Sequence, residues 1–158
     1  MLTKEDFKKI VLLRHLTDDM LDKLLPHIEL KIFSESDLIF REGDAADHFY
    51  MLKRGKVLLE KRLSEKITVS VGAVKAGFSF GWSAMLDDGA YTSDAVCAET
   101  CDVLSVRREK MLNLMNEDHS LGYIFTQGLL RIIKKRLDHR TEQFLRAIQN
   151  HPDIQSLF

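Results

Sequence analysis

The 158-residue sequence is poor in the residues that staple, break or anchor a chain, with two cysteines, two prolines and one tryptophan. Cys97 and Cys101 are too few for a disulfide framework, and a lone C-x3-C spacing lacks the second pair that a zinc site needs. They read as reduced thiols, and the acids Glu99 and Asp102 beside them disfavour a reactive thiolate. Apolar runs never exceed a few residues and the N-terminus Met1-Leu-Thr-Lys-Glu-Asp is charged. Neither a membrane span nor a secretory signal is therefore expected, and the expected compartment is the cytoplasm. Excess charge of one sign is missing too, because 23 Lys and Arg face 24 Asp and Glu. No global basic field exists to attract nucleic acid or anionic lipid. His15, His27, His48, His119, His139 and His151 stand singly, with neither H-x-H nor H-E-x-x-H pairing, so no metal or other cofactor is expected. Gly81-Trp82-Ser83-Ala84-Met85 faintly echoes a nucleophile elbow but lacks its second glycine and its α/β context. No catalytic residue is assigned, and the chain is not expected to be an enzyme.

What is present is a globular composition, 45% apolar and 30% charged, able to build one core. The reading is a single domain over 1–158. Residues 1–27 place Phe7, Ile10, Leu16, Met20, Leu21 and Leu24 at helical spacings, with Thr17 a good N-cap between two short helices. Over 28–107 the texture turns to short β-rich runs broken by glycines, which suits an antiparallel sandwich or barrel. Within it Arg54-Gly55 reads as a hairpin turn, and Phe49 with Met51, on alternate positions, are expected to point into the barrel. Helical spacing returns over 108–150, as a short helix from Arg108 to Met115 and a long one from about Ser120 to Asn150. Pro152 separates it from a tail over 151–158. In the long helix Leu130, Ile133, Leu137, Arg140, Phe144 and Ala147 follow a 3-4-3-4-3 spacing, the seam of a helix pair, so a homodimer is expected. A stripe packed on its own domain would look the same.

The run Phe40-Arg-Glu-Gly43-Asp44-Ala-Ala-Asp47-His-Phe49-Tyr50-Met-Leu-Lys-Arg-Gly55-Lys-Val57, within this helix–barrel–helix order, resembles the cyclic-nucleotide-binding domain family over roughly residues 10 to 145. The resemblance implies a mainly β fold with flanking helices, an eight-stranded antiparallel, jelly-roll-like β-roll. It also implies a phosphate-binding cassette over 80–93, Phe80-Gly81-Trp82-Ser83-Ala84 followed by Thr92-Ser93. Where the family carries a glutamate for the ribose this chain has Trp82, and where it carries an arginine for the cyclic phosphate it has Thr92. A hydrogen bond to a charged partner is worth about 1.5–3 kcal/mol, so the two losses cost roughly 3–6 kcal/mol. At about 1.4 kcal/mol per tenfold, a micromolar ligand drifts to sub-millimolar or weaker.

What remains for an anion is the backbone amides near Trp82, Ser83 and Ala84 with the Ser83, Thr92 and Ser93 hydroxyls. Trp82 either stacks on a planar ligand or fills the emptied pocket. The family caps its base from the long helix, which here brings Arg140 and Thr141 to the site. Arg140 then either supplies the missing charge or packs its stem with its head in solvent. No reading helix fits after Asn150, and the basic run from Arg131 to Arg140 reads as a solvated face, so DNA binding is not expected. Two functions stay open. One is a regulatory sensor for a non-standard small ligand, or for a cyclic nucleotide held only weakly, acting on a protein effector through the long helix. The other is a dimerising scaffold that has lost ligand binding, and the placement of Trp82 discriminates between them.

Overall fold

Capping chemistry sets the first elements of the computed structural model, which describes residues 2–87 and 89–157. Thr3 and Asp6 cap each other reciprocally and open α1 (Lys4–Lys8). The Thr17 hydroxyl accepts from the Met20 amide and opens α2 (Asp18–Leu24), as its sequence position anticipates. Between them a 3-10 turn at Val11–Leu13 completes an apolar cluster in which Phe7, Ile10, Leu12, Leu13, Leu21 and Leu24 are buried.

The β region supplies β1 (Ile28–Phe33), β2 (Leu38–Phe40), β3 (His48–Arg54), β4 (Lys56–Ser64), β5 (Ile67–Lys75), β6 (Ser79–Phe80), β7 (Asp94–Cys97) and β8 (Cys101–Arg107). They form two four-stranded sheets, β1-β8-β3-β6 and β2-β7-β4-β5, with antiparallel pairings, which is the expected β-roll. Arg54-Gly55 is not a hairpin turn. β3 pairs with β8 and β6 while β4 pairs with β5 and β7, so at this point the chain turns the corner from one sheet to the other.

Phe49, Tyr50, Met51 and Leu52 of β3 are all buried, because helices cover the outer face of this strand. Tyr50 stacks on Phe80 and Phe40, at 5.3 and 5.6 Å between centroids, inside the roll. Phe49 instead meets Phe125 of the long helix edge-on at 5.6 Å. Strand alternation therefore turns Phe49 and Met51 toward the helices, the opposite of the sequence expectation.

Beyond the roll come α3 (Arg108–Glu117), α4 (His119–Gln149) and α5 (Pro152–Gln155). The Asp118 carboxylate accepts from the Leu121 amide at the start of α4 and from Lys23 Nζ at 2.6 Å, tying α4 to α2. These bonds hold the Asp118 carboxyl below its ordinary value, the Lys23 bond first. α4 buries Leu121, Gly122, Phe125 and Ile132, whereas every residue from Leu137 to Gln149 is exposed. Beyond Arg140, which still reaches the Val71 carbonyl, the overhang to Gln149 is about 14 Å long at 1.5 Å per residue. The tail is not featureless, because Pro152 occupies the first turn of α5, where its missing N–H costs nothing. Among the described residues no helix is long and apolar enough to cross a membrane, and no cluster of His, Cys, Asp or Glu could hold a metal.

Candidate functional site

Gly81 follows β6 with φ +72, a left-handed conformation, and its Cα faces the aromatic stack so closely that a Cβ would lie 2.9 Å from Tyr50 Cδ2. That turn launches the 3-10 turn Trp82–Met85, which buries Ala84 and packs Trp82 and Met85 against the core. Tyr91 closes the far end of the loop. Its ring stacks on Phe40 at 3.8 Å and its hydroxyl donates to the His48 carbonyl at 2.6 Å. Its backbone pairs with Gly43 and Asp44, so the Glu42-Gly43-Asp44 corner and the cassette brace one another. Burial raises the Tyr50 and Tyr91 phenols above their ordinary range, keeping both rings neutral.

Between the cassette, β4–β5 and α4 lies an open cavity of about 380 Å³. Of the residues the sequence suggested, Phe80, Gly81, Trp82, Ser83, Thr92, Ser93 and Arg140 line it together. Ala84 and Thr141 do not. Ala84 is fully buried beneath the turn and its amide donates to the Gly81 carbonyl, which removes that amide from any anion contact. Thr141 is exposed and its hydroxyl donates back to the Leu137 carbonyl, one turn up its own helix. Asp88, within the cassette span, lies outside the described residues.

Trp82 does not fill the cavity. Its indole N–H donates to Ser79 Oγ at 3.1 Å, which pins the ring as part of the wall. Over the ring, with its guanidinium carbon 4.4 Å from the centroid, sits Arg136, a residue that in the sequence is one of a basic run with the look of a solvated face. Arg136 is half-buried and lines the cavity. Burial first, and Arg140 second, lower its pKa from the ordinary guanidinium value. Arg140 is exposed and pairs with no acid among the described residues, and its Nη2 donates to the Val71 carbonyl at the cavity wall.

The lining is thus cationic on one side and apolar on the other. Arg136, Arg140 and Lys61 contribute charge, Phe40, Leu59, Val71 and Ile133 contribute apolar surface, and no carboxylate lines the space among the described residues. Lys61 is already engaged by Glu42 at 3.1 Å, which leaves the two arginines of α4 as the cavity's unneutralised cations. Arg108 holds the cassette from below. It donates to the Ala84 and Leu86 carbonyls and pairs with Asp87 at 2.9 Å, fastening the start of α3 to the cassette turn.

The expected seam is divided by this geometry. Leu130, Leu137 and Phe144 are 57%, 64% and 65% exposed and extend the seven-residue spacing begun by Tyr123, at 68%. Ile133, Leu137 and Arg140 also line the cavity, while Ala147 lies exposed on the overhang. Cys97 and Cys101 are buried free thiols, and burial with the neighbouring Cys101 pushes the Cys97 thiol up.

The profile of the cyclic nucleotide-binding domain matches residues 30–118, more than half of the chain. A cGMP-dependent protein kinase of Caenorhabditis briggsae is 24% identical over 111 residues, covering 69% of this chain and 15% of that protein. The cyclic AMP receptor protein of Thermus thermophilus is 26% identical over 118 residues, covering 72% of this chain and 55% of that protein. The chain therefore spans only part of the length of these relatives. Among solved structures, a cyclic nucleotide-binding domain from Methylobacillus flagellatus superposes with a TM-score of 0.81 at 17% identity, covering 94% of this chain and 87% of that one.

Proposed function

From the premise that this chain belongs to the cyclic nucleotide-binding domain family, we propose that it is a non-enzymatic regulatory sensor whose cassette takes a small anion through the arginines of its long helix. The observation that carries this reading is the open cavity of about 380 Å³ with Arg136 and Arg140 in its wall. That volume lies within the range of about 300–1,000 Å³ usual for small-ligand pockets. A ligand suited to it has a negative group for the guanidiniums and an apolar or planar body for Phe40, Leu59 and Val71. Cyclic nucleotides meet that description but lose both anchors of the cassette. With Arg140 already donating to the Val71 carbonyl, Arg136 returns about 1.5–3 kcal/mol of the roughly 3–6 kcal/mol lost, which leaves cyclic nucleotide binding weak.

The relocation of the charge has a mechanical consequence. With the cation on α4 and not on the cassette loop, an anion in the cavity is held against the helix itself. A helix position that brings Arg136 and Arg140 to the anion is favoured over one that does not, and this difference in affinity is what a switch requires. Ile133 and Leu137 line the cavity and belong to the apolar seam, so the ligand and a second copy of the chain would meet the same turns of α4. The readout proposed is homodimer geometry along α4, passed to a protein effector. We assign no DNA contact to these residues and place the chain in the reducing cytoplasm, where its buried cysteines stay thiols.

The ligand-free scaffold remains the second reading, favoured by the exposed stripe Tyr123, Leu130, Leu137 and Phe144. A scaffold has no use for an open cavity with two unneutralised guanidiniums, of which the half-buried Arg136 costs desolvation. Calorimetric titration with cyclic AMP of the wild type and of Thr92→Arg decides between them. The sensor reading expects weak saturable binding that Thr92→Arg strengthens at least about tenfold. No binding by either protein would leave the scaffold.

A further inference from the structure

A second cavity, of about 850 Å³, lies on the other flank of α4, between that helix, the 3-10 turn Val11–Leu13 and β5. Its walls carry Arg14, Lys75, Arg131, Lys135 and Arg136, and no carboxylate lines it among the described residues. Among the described residues none of these five cations takes part in an ion pair, although the chain as a whole has net charge −1. Five of the chain's 23 Lys and Arg thus gather, without a carboxylate partner, around one concave space. The floor is apolar, from Val11, Phe78, Ala73 and Ile132, with Phe78 38% exposed.

We propose that this groove is a second ligand site, for a small phosphorylated molecule that carries several negative charges on a planar apolar body, a nucleoside polyphosphate in chemical class. The cations pair with phosphate oxygens as arginine and lysine commonly do. The exposed face of Phe78 accepts the planar body by stacking. The concavity selects a small ligand over duplex nucleic acid, which needs an extended basic stripe along its backbone. His15 and His139 at the walls offer further ring nitrogens to the phosphates.

Arg136 lines both cavities, so it is a shared wall between this groove and the cassette cavity. A polyanion in the second groove draws the guanidinium away from the Trp82 ring, and the two ligands then compete for one cation. Each weakens the other by the same factor, since coupling between sites is reciprocal. The cation above Trp82, the only tryptophan in the chain, makes this ring the reporter. The proposal stands on the groove's own residues, whether or not the cassette takes a ligand.

The test uses magnesium-free ATP and inorganic tripolyphosphate, followed by calorimetry and by Trp82 fluorescence, on the wild type, Arg131→Glu/Lys135→Glu and Thr92→Glu. Arg131 and Lys135 are exposed, and circular dichroism checks that the double variant keeps its fold. Arg14→Ala/Lys75→Ala serves as an independent second variant on the opposite wall. The expected result is one ATP per chain, bound more tightly than tripolyphosphate and weakened by added salt. That binding falls at least about tenfold in both groove variants and far less in Thr92→Glu, whose carboxylate blocks the cassette and reaches the groove only through the shared Arg136. Binding lost in Thr92→Glu but kept in the groove variants would overturn the proposal by assigning the anion to the cassette. No saturable heat up to about 10 mM, an affinity too weak to be a site, would overturn it outright. ATP bound no better than tripolyphosphate would overturn the role given to the apolar floor.

Discussion

Substituting Gly81 by alanine tests how the cassette turn is built, because the structure supplies both the cost and its control. Gly81 has φ +72, and an added Cβ would sit 2.9 Å from Tyr50 Cδ2 and 3.4 Å from both the His48 carbonyl and Tyr91 Cε1. Tyr50 cannot swing aside, since it is stacked against Phe40 and Phe80 and buried. Placing an L residue in the left-handed region costs roughly 1–2 kcal/mol, and overpacking a rigid aromatic core adds about 1–3 kcal/mol. Lower entropy of the unfolded alanine chain returns about 0.4–1 kcal/mol, for a net loss of about 1–5 kcal/mol, centred on about 3 kcal/mol. Gly43 is the control, with φ +89 and nothing within 4 Å of an added methyl group, so that Gly43→Ala carries the backbone cost alone, about 1 kcal/mol. Urea denaturation followed by circular dichroism gives both values. For a chain of this size the Gly81 variant should also lose about 5–15 °C of Tm. Equal destabilisation by the two substitutions, or none by Gly81→Ala, would refute the reasoning that Tyr50 confines the turn.

Further outcomes follow from other contacts. Arg108→Ala removes the donor to the Ala84 and Leu86 carbonyls, and hydrogen–deuterium exchange should rise across residues 81–87 while α4 is unchanged. Leu137→Glu/Phe144→Glu puts charge on the exposed stripe and should convert a dimer to a monomer in sedimentation, whereas unchanged sedimentation would sink the paired-helix arrangement. The Cys97 thiol is held above its ordinary value of 9.0, so between that value and its folded value the folded chain binds more protons than the unfolded one. Its contribution to stability is therefore complete below about pH 9 and falls as pH rises beyond it, a loss that Cys97→Ala should diminish in denaturation series run from about pH 7 to 10.5.

The parts of the fold legible in the sequence are those set by local chemistry. Thr17 announces α2 because an N-cap acts on residues within one turn, and the glycine-broken β runs announce the roll for the same reason. Arg54-Gly55 misleads because a corner between sheets and a hairpin share their turn residues and differ only in which distant strands each flank pairs with. Phe49 misleads because alternation separates the two faces of a strand without saying which face looks inward when helices cover the outside. At the site, the residues of the 80–93 span and Arg140 that line the cavity are reached from the sequence only through the family resemblance. Arg136 is not reached at all, since it lies in a run with Arg131, Lys134 and Lys135, and only the rotation of α4 about its axis decides which of these turns to Trp82. The sole clue in the sequence comes through the family resemblance, which puts Trp82 and Thr92 where charged anchors are expected. Thr141 sits one residue past Arg140, where the helix already points to solvent.

The central claim is that the helix arginines stand in for the lost cassette charge, and a titration with cyclic AMP and cyclic GMP of the wild type, Arg136→Ala and Arg140→Ala tests it most directly. Trp82 fluorescence, confirmed by calorimetry, is followed at about 0.15 M salt. The predicted result is saturation by at least one nucleotide between about 0.1 and 1 mM, and a loss of at least about tenfold in affinity when Arg136 is removed. Binding that is indifferent to both substitutions would contradict it.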